Sequence, residues 1–225
     1  MNYSGGKGSS FRHILNLIPP HDVYIESHLG GGSVLRNKRP GLQDIGIDRD
    51  PKVIEQWKSR FGSRYDVRHG NAHQFLDSYT FTGNEVVYVD PPYFPETRIR
   101  SKIYRHDYSA EDHHELLEIL VRLSARVIVS GYSHFVYEKI LRDWNKMEYQ
   151  AQTHSGVRTE CLWFNFESPS NLHDYRFIGS DFRDRERVRR KLATLQKKVQ
   201  LLKPIERQAF LQWMNENCVE DINIS

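Results

Sequence analysis

Glu85-Val86-Val87-Tyr88-Val89-Asp90-Pro91-Pro92-Tyr93 decides the fold. The run from Val86 to Val89 is apolar without alternation and rich in β-branched and aromatic side chains, which is how a strand buried on both faces of a parallel sheet reads. The two prolines stop it, because neither can donate to a ladder. Ligands in open α/β sheets bind outside the carboxyl ends of the strands, so the spacing places Asp90 where a ligand would sit.

Working outward, apolar segments and breakers alternate in an α/β rhythm. Upstream, Ser9 to Ile18 predicts a helix ending before Pro19-Pro20, and Val23 to Glu26 a short strand. Leu29-Gly30-Gly31-Gly32 follows, then a helix from Ser33, then a strand Ile45 to Asp48 and a helix Pro51 to Phe61 for which Asp50 is the cap. Tyr65 to His69 reads as a further strand. Downstream, Phe94 to Tyr108 reads as an exposed basic loop, and Ser109 to Asp112 has capping-box spacing before a helix carrying Leu116, Leu117, Leu120 and Leu123. A strand Arg126 to Ser130, a helix from His134 to about Asp143 and a hairpin turning at Ser155-Gly156 complete the body. Glu167 to Asp181 reads as a linker, and Arg183 to Asn217 as one long helix or two, broken at Pro204. The domains expected are 1–167, a linker 168–182 and a basic helical extension 183–225.

Composition bounds the function classes. The 225 residues suffice for one principal core. Four Trp, twelve Tyr and eleven Phe argue against disorder, and no apolar run approaches the roughly 20 residues that span a bilayer. Cys161 and Cys218 stand far apart, supporting neither a disulfide scaffold nor a zinc ribbon. With no apolar stretch near Met1, no signal peptide is expected, and a reduced cytoplasm fits best. Net charge is +3, but residues 183–203 hold nine Lys or Arg against two acids, which leaves residues 1–182 near neutral. Such a helix either crosses phosphates or is simply a solvated face. Leu192, Leu195, Val199 and Leu202 recur behind it at helical spacing, which suits docking on the body or on a second copy, so monomer and homodimer both stay open.

The chemistry concentrates at strand ends. Asp90 and a backbone carbonyl of the proline turn can act together as acceptors for an amino group with two N–H donors. Those hydrogen bonds would stabilise positive charge growing on an exocyclic amine as its nitrogen attacks a methyl group. Tyr93 offers a face for a base. Asp-Pro-Pro also arises by chance before a turn. The glycines after the first strand let backbone approach a ligand, and Asp48, about twenty residues on, stands where an acid commonly binds ribose hydroxyls. His69, His73, His106, His113 and His114 are scattered over strand, loop and helix, so no metal site is expected. Trp144, Trp163 and Trp213 read as packing residues.

Tyr3-Ser4-Gly5-Gly6-Lys7, Glu26 with Gly30-Gly31-Gly32-Ser33-Val34, Ile47-Asp48 and Asp90-Pro91-Pro92-Tyr93 stand in the order of the Dam-like (D12 class) DNA adenine-N6 methyltransferases, which the chain resembles over about residues 1 to 166. Further echoes are Tyr108-Ser109, Val127 to Ser130 and Arg158 to Asn165. The resemblance implies a Rossmann-like sheet with helices on both faces and a helical extension. It further implies S-adenosylmethionine as cofactor, no metal, and methylation of N6 of a flipped-out adenine in DNA. It puts Tyr3, Gly6, Lys7, Glu26, Gly30, Gly32, Asp48, Asn71, Ala72 and Asp90 around the cofactor, and Asp90, Pro91, Pro92 and Tyr93 at the reacting base. Arg98, Arg100, Lys102, Arg105, Arg187 and Arg190 are the expected nucleic-acid contacts.

Two departures stand out. Glu26-Ser27-His28 replaces the family's Glu-Pro-Phe, and only about forty residues separate Asp48 from Asp90, so the usual target-recognition insertion is missing. Basic contacts to phosphates would then do most of the binding and specify little, giving relaxed or short-site specificity. An RNA adenine methyltransferase and a non-catalytic DNA-binding subunit on the same scaffold are the alternatives.

Overall fold

The computed structural model describes residue 8 and residues 10–97, 106–153 and 156–218. The chain forms two compact units, Met1–Asp174 and Tyr175–Ser225. The first holds a seven-stranded sheet made of β1 (Val23–Glu26), β2 (Gln43–Asp48), β3 (Asp66–His69), β4 (Glu85–Val89), β5 (Arg126–Gly131), β6 (Asn145–Thr153) and β7 (Gly156–Phe164). Their order is β3-β2-β1-β4-β5-β7-β6. The first five run parallel and the β6–β7 hairpin joins β5 antiparallel. This is the doubly wound α/β arrangement expected from the sequence, and its order reverses beside β1, where such sheets place ligands.

The helices are α1 (Phe11–Leu15), α2 (Ser33–Asn37), α3 (Pro51–Phe61), α4 (Ala72–Ser78), α5 (Ala110–Leu120) and α6 (Phe135–Ile140), followed in the second unit by α7 (Phe182–Leu201) and α8 (Pro204–Cys218). Strand residues of one parity (Ile25, Ile45, Ile47, Val87, Val89, Val127 and Val129) form one core with Leu76 of α4, Leu116, Leu117 and Leu120 of α5, and Val136 and Tyr137 of α6. The opposite parity (Tyr24, Val86, Tyr88 and Ile128) is equally buried, as are Ile14 and Leu15 of α1 and Val34 and Leu35 of α2. The Leu35 N–H reaches Glu26 on that face. Burial of both parities is why the strands read as unbroken apolar runs.

Local chemistry sets the ends. Asp50 caps α3 through the Lys52 N–H, with Pro51 in the first turn. Ser109 and Asp112 form the expected capping box of α5. The first helix is shorter than its pattern: after Leu15 the Leu17 and Ile18 N–H groups turn to Ile14 and Leu15, tightening the chain before Pro19-Pro20. The helix expected from His134 to about Asp143 ends at Ile140, and His134 is its cap. Pro204 begins a second helix, so the C-terminal segment is two helices.

Two expectations are corrected. Phe94 and Tyr108 bound the supposedly exposed loop but are 5% and 7% exposed, because both rings pack into the core of α5 and α6. Trp213, read as a packing residue, is 53% exposed on α8, whereas Trp163 is buried and Trp144 packs against the core. Leu192 and Leu195 lie on α7, 40% and 48% exposed.

Candidate active site

The loop after β1 is built by backbone and carboxylates together. Ser27 N–H donates to Tyr88 O (3.1 Å) and Leu29 N–H to Ile47 O (2.8 Å), extending the ladders on both sides past the strand end. Gly30 N–H donates to Asp48 Oδ2 (2.7 Å), and Asp50 N–H to Asp48 Oδ1 (2.8 Å). Gly30 and Gly32 have positive φ, and a Cβ at Gly32 would overlap the Trp57 ring, so glycine is required there. Trp57 Nε1–H donates to Gly30 O (2.9 Å), which fixes the loop from α3. Burial raises the Asp48 carboxyl, partly offset by the two N–H donors.

Glu26 closes the floor. Its Oε2 accepts from Leu35 N–H (2.9 Å) at the start of α2 and from Tyr24 OH (3.1 Å). Burial pushes its carboxyl up to about 8 against those two donors, and the neighbouring Asp90 charge pushes the same way. A carboxyl raised to about 8 favours its protonated form at neutral pH.

Asp90 lies one residue past the β4 ladder, and Ser130 at the end of β5 donates to its Oδ1 (2.7 Å). Tyr88 OH lies 3.0 Å from the same Ser130 hydroxyl. The carboxylate is thus oriented by its neighbouring strand. Pro91 is buried, and Pro92 and Tyr93 are half-buried beside it. Gly70 N–H donates to Asp48 O (3.0 Å), which brings Asn71 and buried Ala72 to the same edge of the sheet. Asn71 Oδ1 accepts from His73 N–H (2.8 Å) and caps α4.

Imidazoles that look scattered in sequence meet here. His28 Nε2 lies 2.8 Å from Tyr108 OH and its Nδ1 3.0 Å from Ser27 Oγ. His73 and His113 both pack edge-on against the Tyr108 ring, and His113 Nδ1 lies 2.9 Å from Tyr137 OH. Burial drives His28 down to about 3, with His73 and His113 adding to it, so it is neutral. Among the described residues no group of three His, Cys, Asp or Glu side chains is placed to hold a metal ion.

Glu26, Gly30, Gly32, Asp48, Asn71, Ala72 and the Asp90–Tyr93 turn therefore share one edge. Tyr3, Gly6, Lys7, Arg98, Arg100, Lys102 and Arg105 lie outside the described residues. Arg187 and Arg190 are exposed on α7, with Arg187 paired to Asp184. The sequence reading missed Ser130 and Trp57 as site-shaping residues. Ser130 had one available signal, its place at the end of an apolar strand parallel to the one bearing Asp90. Trp57 had only its position on an amphipathic helix.

The sheet order and the carboxylates at its edge define a Rossmann-like methyltransferase fold, the class that the motifs implied. Residues 46–155, the segment that carries Asp48, Asn71 and the Asp90 turn, match the model of the D12 class N6 adenine-specific DNA methyltransferases, so the resemblance is borne out over that segment. No curated protein matches the chain. Similar solved structures include an rRNA methylase from Streptococcus thermophilus, 14% identical with a TM-score of 0.49 over 71% of this chain and 96% of that one. Another is the magnesium protoporphyrin IX methyltransferase of Synechocystis PCC 6803 with bound SAM, 15% identical with a TM-score of 0.44 over 69% and 76%.

Proposed function

We propose that the chain transfers a methyl group from S-adenosylmethionine to N6 of adenine in DNA. The observation that carries this reading is Asp90, held by Ser130 at the end of β4 beside Tyr93, inside the segment that matches the D12 class. The residues present fit an adenosyl cofactor: two left-handed glycines keep side chains out of the loop, and Asp48 offers the acid after β2. His73 Nε2 is a buried polar atom with no hydrogen-bond partner among the described residues. Glu26, Gly30, Gly32 and Asp48 would hold the cofactor with Asn71, Ala72, Tyr3, Gly6 and Lys7, and when bound it supplies an electrophilic methyl group.

This chain's own residues then align and polarise. Asp90 and a carbonyl of the proline turn accept the two amino hydrogens of the base, directing the nitrogen lone pair and stabilising its growing charge. Tyr93 stacks on the base, and much of the acceleration comes from in-line alignment. Flipping the base costs a few kcal/mol of unstacking. Residues 1–167 carry catalysis, and the basic loop and the extension 183–225 contact phosphates through Arg98, Arg100, Lys102, Arg105, Arg187 and Arg190, contacts that specify little and leave relaxed or short-site specificity.

The test is incubation with labelled S-adenosylmethionine and unmethylated duplex DNA, single-stranded DNA or matched RNA, followed by digestion and detection of N6-methyladenine. Asp90→Ala should lower turnover by about 10²–10³ with melting unchanged. Product on RNA alone overturns the DNA assignment, and no product on any strand overturns the catalytic reading.

A further inference from the structure

We propose that the aromatic side chains around the Asp90 turn continue outward as a stacking surface for unpaired DNA bases, with Phe135 receiving the base next to the target. The preferred substrate is then a single-stranded stretch. The identity of the target base rests on the function proposed above, but the surface does not.

The rings run two ways from the turn. Tyr93 meets Tyr132 edge-on at 4.5 Å, and the Arg158 guanidinium lies 5.1 Å above the Tyr132 ring while donating to Thr97 O (3.2 Å). On the other side Phe94 stacks on His134 at 3.7 Å, and His134 lies 4.6 Å from Phe135. Exposure rises only at the end of this path, from buried Phe94 and the His134 side chain, 8% exposed, to Phe135, which is 70% exposed. Among the described residues up to Asp174 the exposed large apolar side chains are Leu42, Val121, Phe135 and Val157. Scattered apolar residues need no explanation, but the single aromatic one ends a continuous set of rings that starts at the reacting turn.

Among the described residues the charges around the path do not make a phosphate groove. Arg158 is cationic, but Glu96 lies 3.2 Å from His134, and Glu138 accepts from Ser133 and Lys146. Stacking is therefore the main attraction, and every base has a π-face to offer. In a duplex the neighbour of the target is already paired and stacked, so Phe135 gains little. Between Asp48 and Asp90 the chain builds α3, a 3-10 turn at Gly62–Arg64, β3, α4 and β4, with no insertion to read a groove.

The experiment measures binding of a labelled single-stranded oligodeoxynucleotide, and of its duplex, to the full chain by fluorescence anisotropy across a salt series. Phe135→Ala should weaken single-strand binding about tenfold, the loss of one stacked base, with an unchanged salt slope because no phosphate contact is lost. Duplex binding should not change, and Phe135→Trp should restore the single-strand affinity. An equal loss on both strands, or no loss, overturns the proposal. If Asp90→Ala abolishes methylation while Phe135→Ala binds like the native chain, the surface falls and the reaction stands. If no strand is methylated yet single-strand binding falls with Phe135→Ala and returns with Phe135→Trp, the surface stands and the reaction falls.

Discussion

The carboxyl edge of the sheet and the helical pair α7–α8 are both rich in charge, but only the edge turns charge into geometry. Glu26 and Asp48 are 3% and 8% exposed, and each carboxyl group meets two donors. Burial makes an unpaired polar group costly, so partners at the edge are compulsory and positions follow from them. On α7 the ion pairs Arg187–Asp184 and Arg189–Glu186 stand in water, where such pairs contribute little.

The sharpest break of this contrast is Trp57→Ala. Removing a ring that is 1% exposed and that braces Gly30 and Gly32 should cost about 3–5 kcal/mol in chemical denaturation, and cofactor affinity measured by calorimetry should fall with it. Next is Ser130→Ala, which frees Asp90 from its orienting donor. Losing a hydrogen bond to a charged group costs about 1.5–3 kcal/mol, so turnover should fall by about tenfold or more while the cofactor dissociation constant stays put.

The edge should also respond to pH with two opposite signs. Glu26 is raised from 4.5 to about 8, so its contribution to stability is full below about 4.5 and is lost as pH climbs toward 8. His28 is lowered from 6.5 to about 3, so its contribution is present above 6.5 and is lost as pH falls toward 3. Melting of the ligand-free chain across that range should show both slopes, Glu26→Gln flattening the alkaline one and His28→Phe the acid one. A profile unmoved by Glu26→Gln would mean that the carboxyl is already ionised. The smallest effect belongs to the helices: Arg187→Gln with Arg190→Gln should change stability by no more than about 0.5 kcal/mol, while the salt slope of DNA binding falls by about two if both contact phosphates.

Much of the edge is legible in the sequence for a simple reason. Val86–Val89, Ile45–Asp48 and the glycines carry local signals: an apolar run, an acid at a strand end, backbone that only glycine can follow. The imidazoles are the opposite case. His28, His73 and His113 are as far apart as a loop after the first strand and two separate helices, and nothing in their spacing shows that Tyr108 gathers them. Phe94 and Tyr108 were misread for a related reason: a polar, basic segment between them hides the fact that both ends are anchored in the core.

The sequence by itself determined the strand and helix identities apart from α4, the position of Asp90 at a strand end and the concentration of basic charge after Arg183, because each rests on spacing along the chain. Only the tertiary structure decided that Ser130 orients Asp90, that Trp57 holds the glycine loop and that the Glu26 carboxyl favours its protonated form. Those depend on which strands lie side by side and on how completely water is removed from between them, and neither quantity is local.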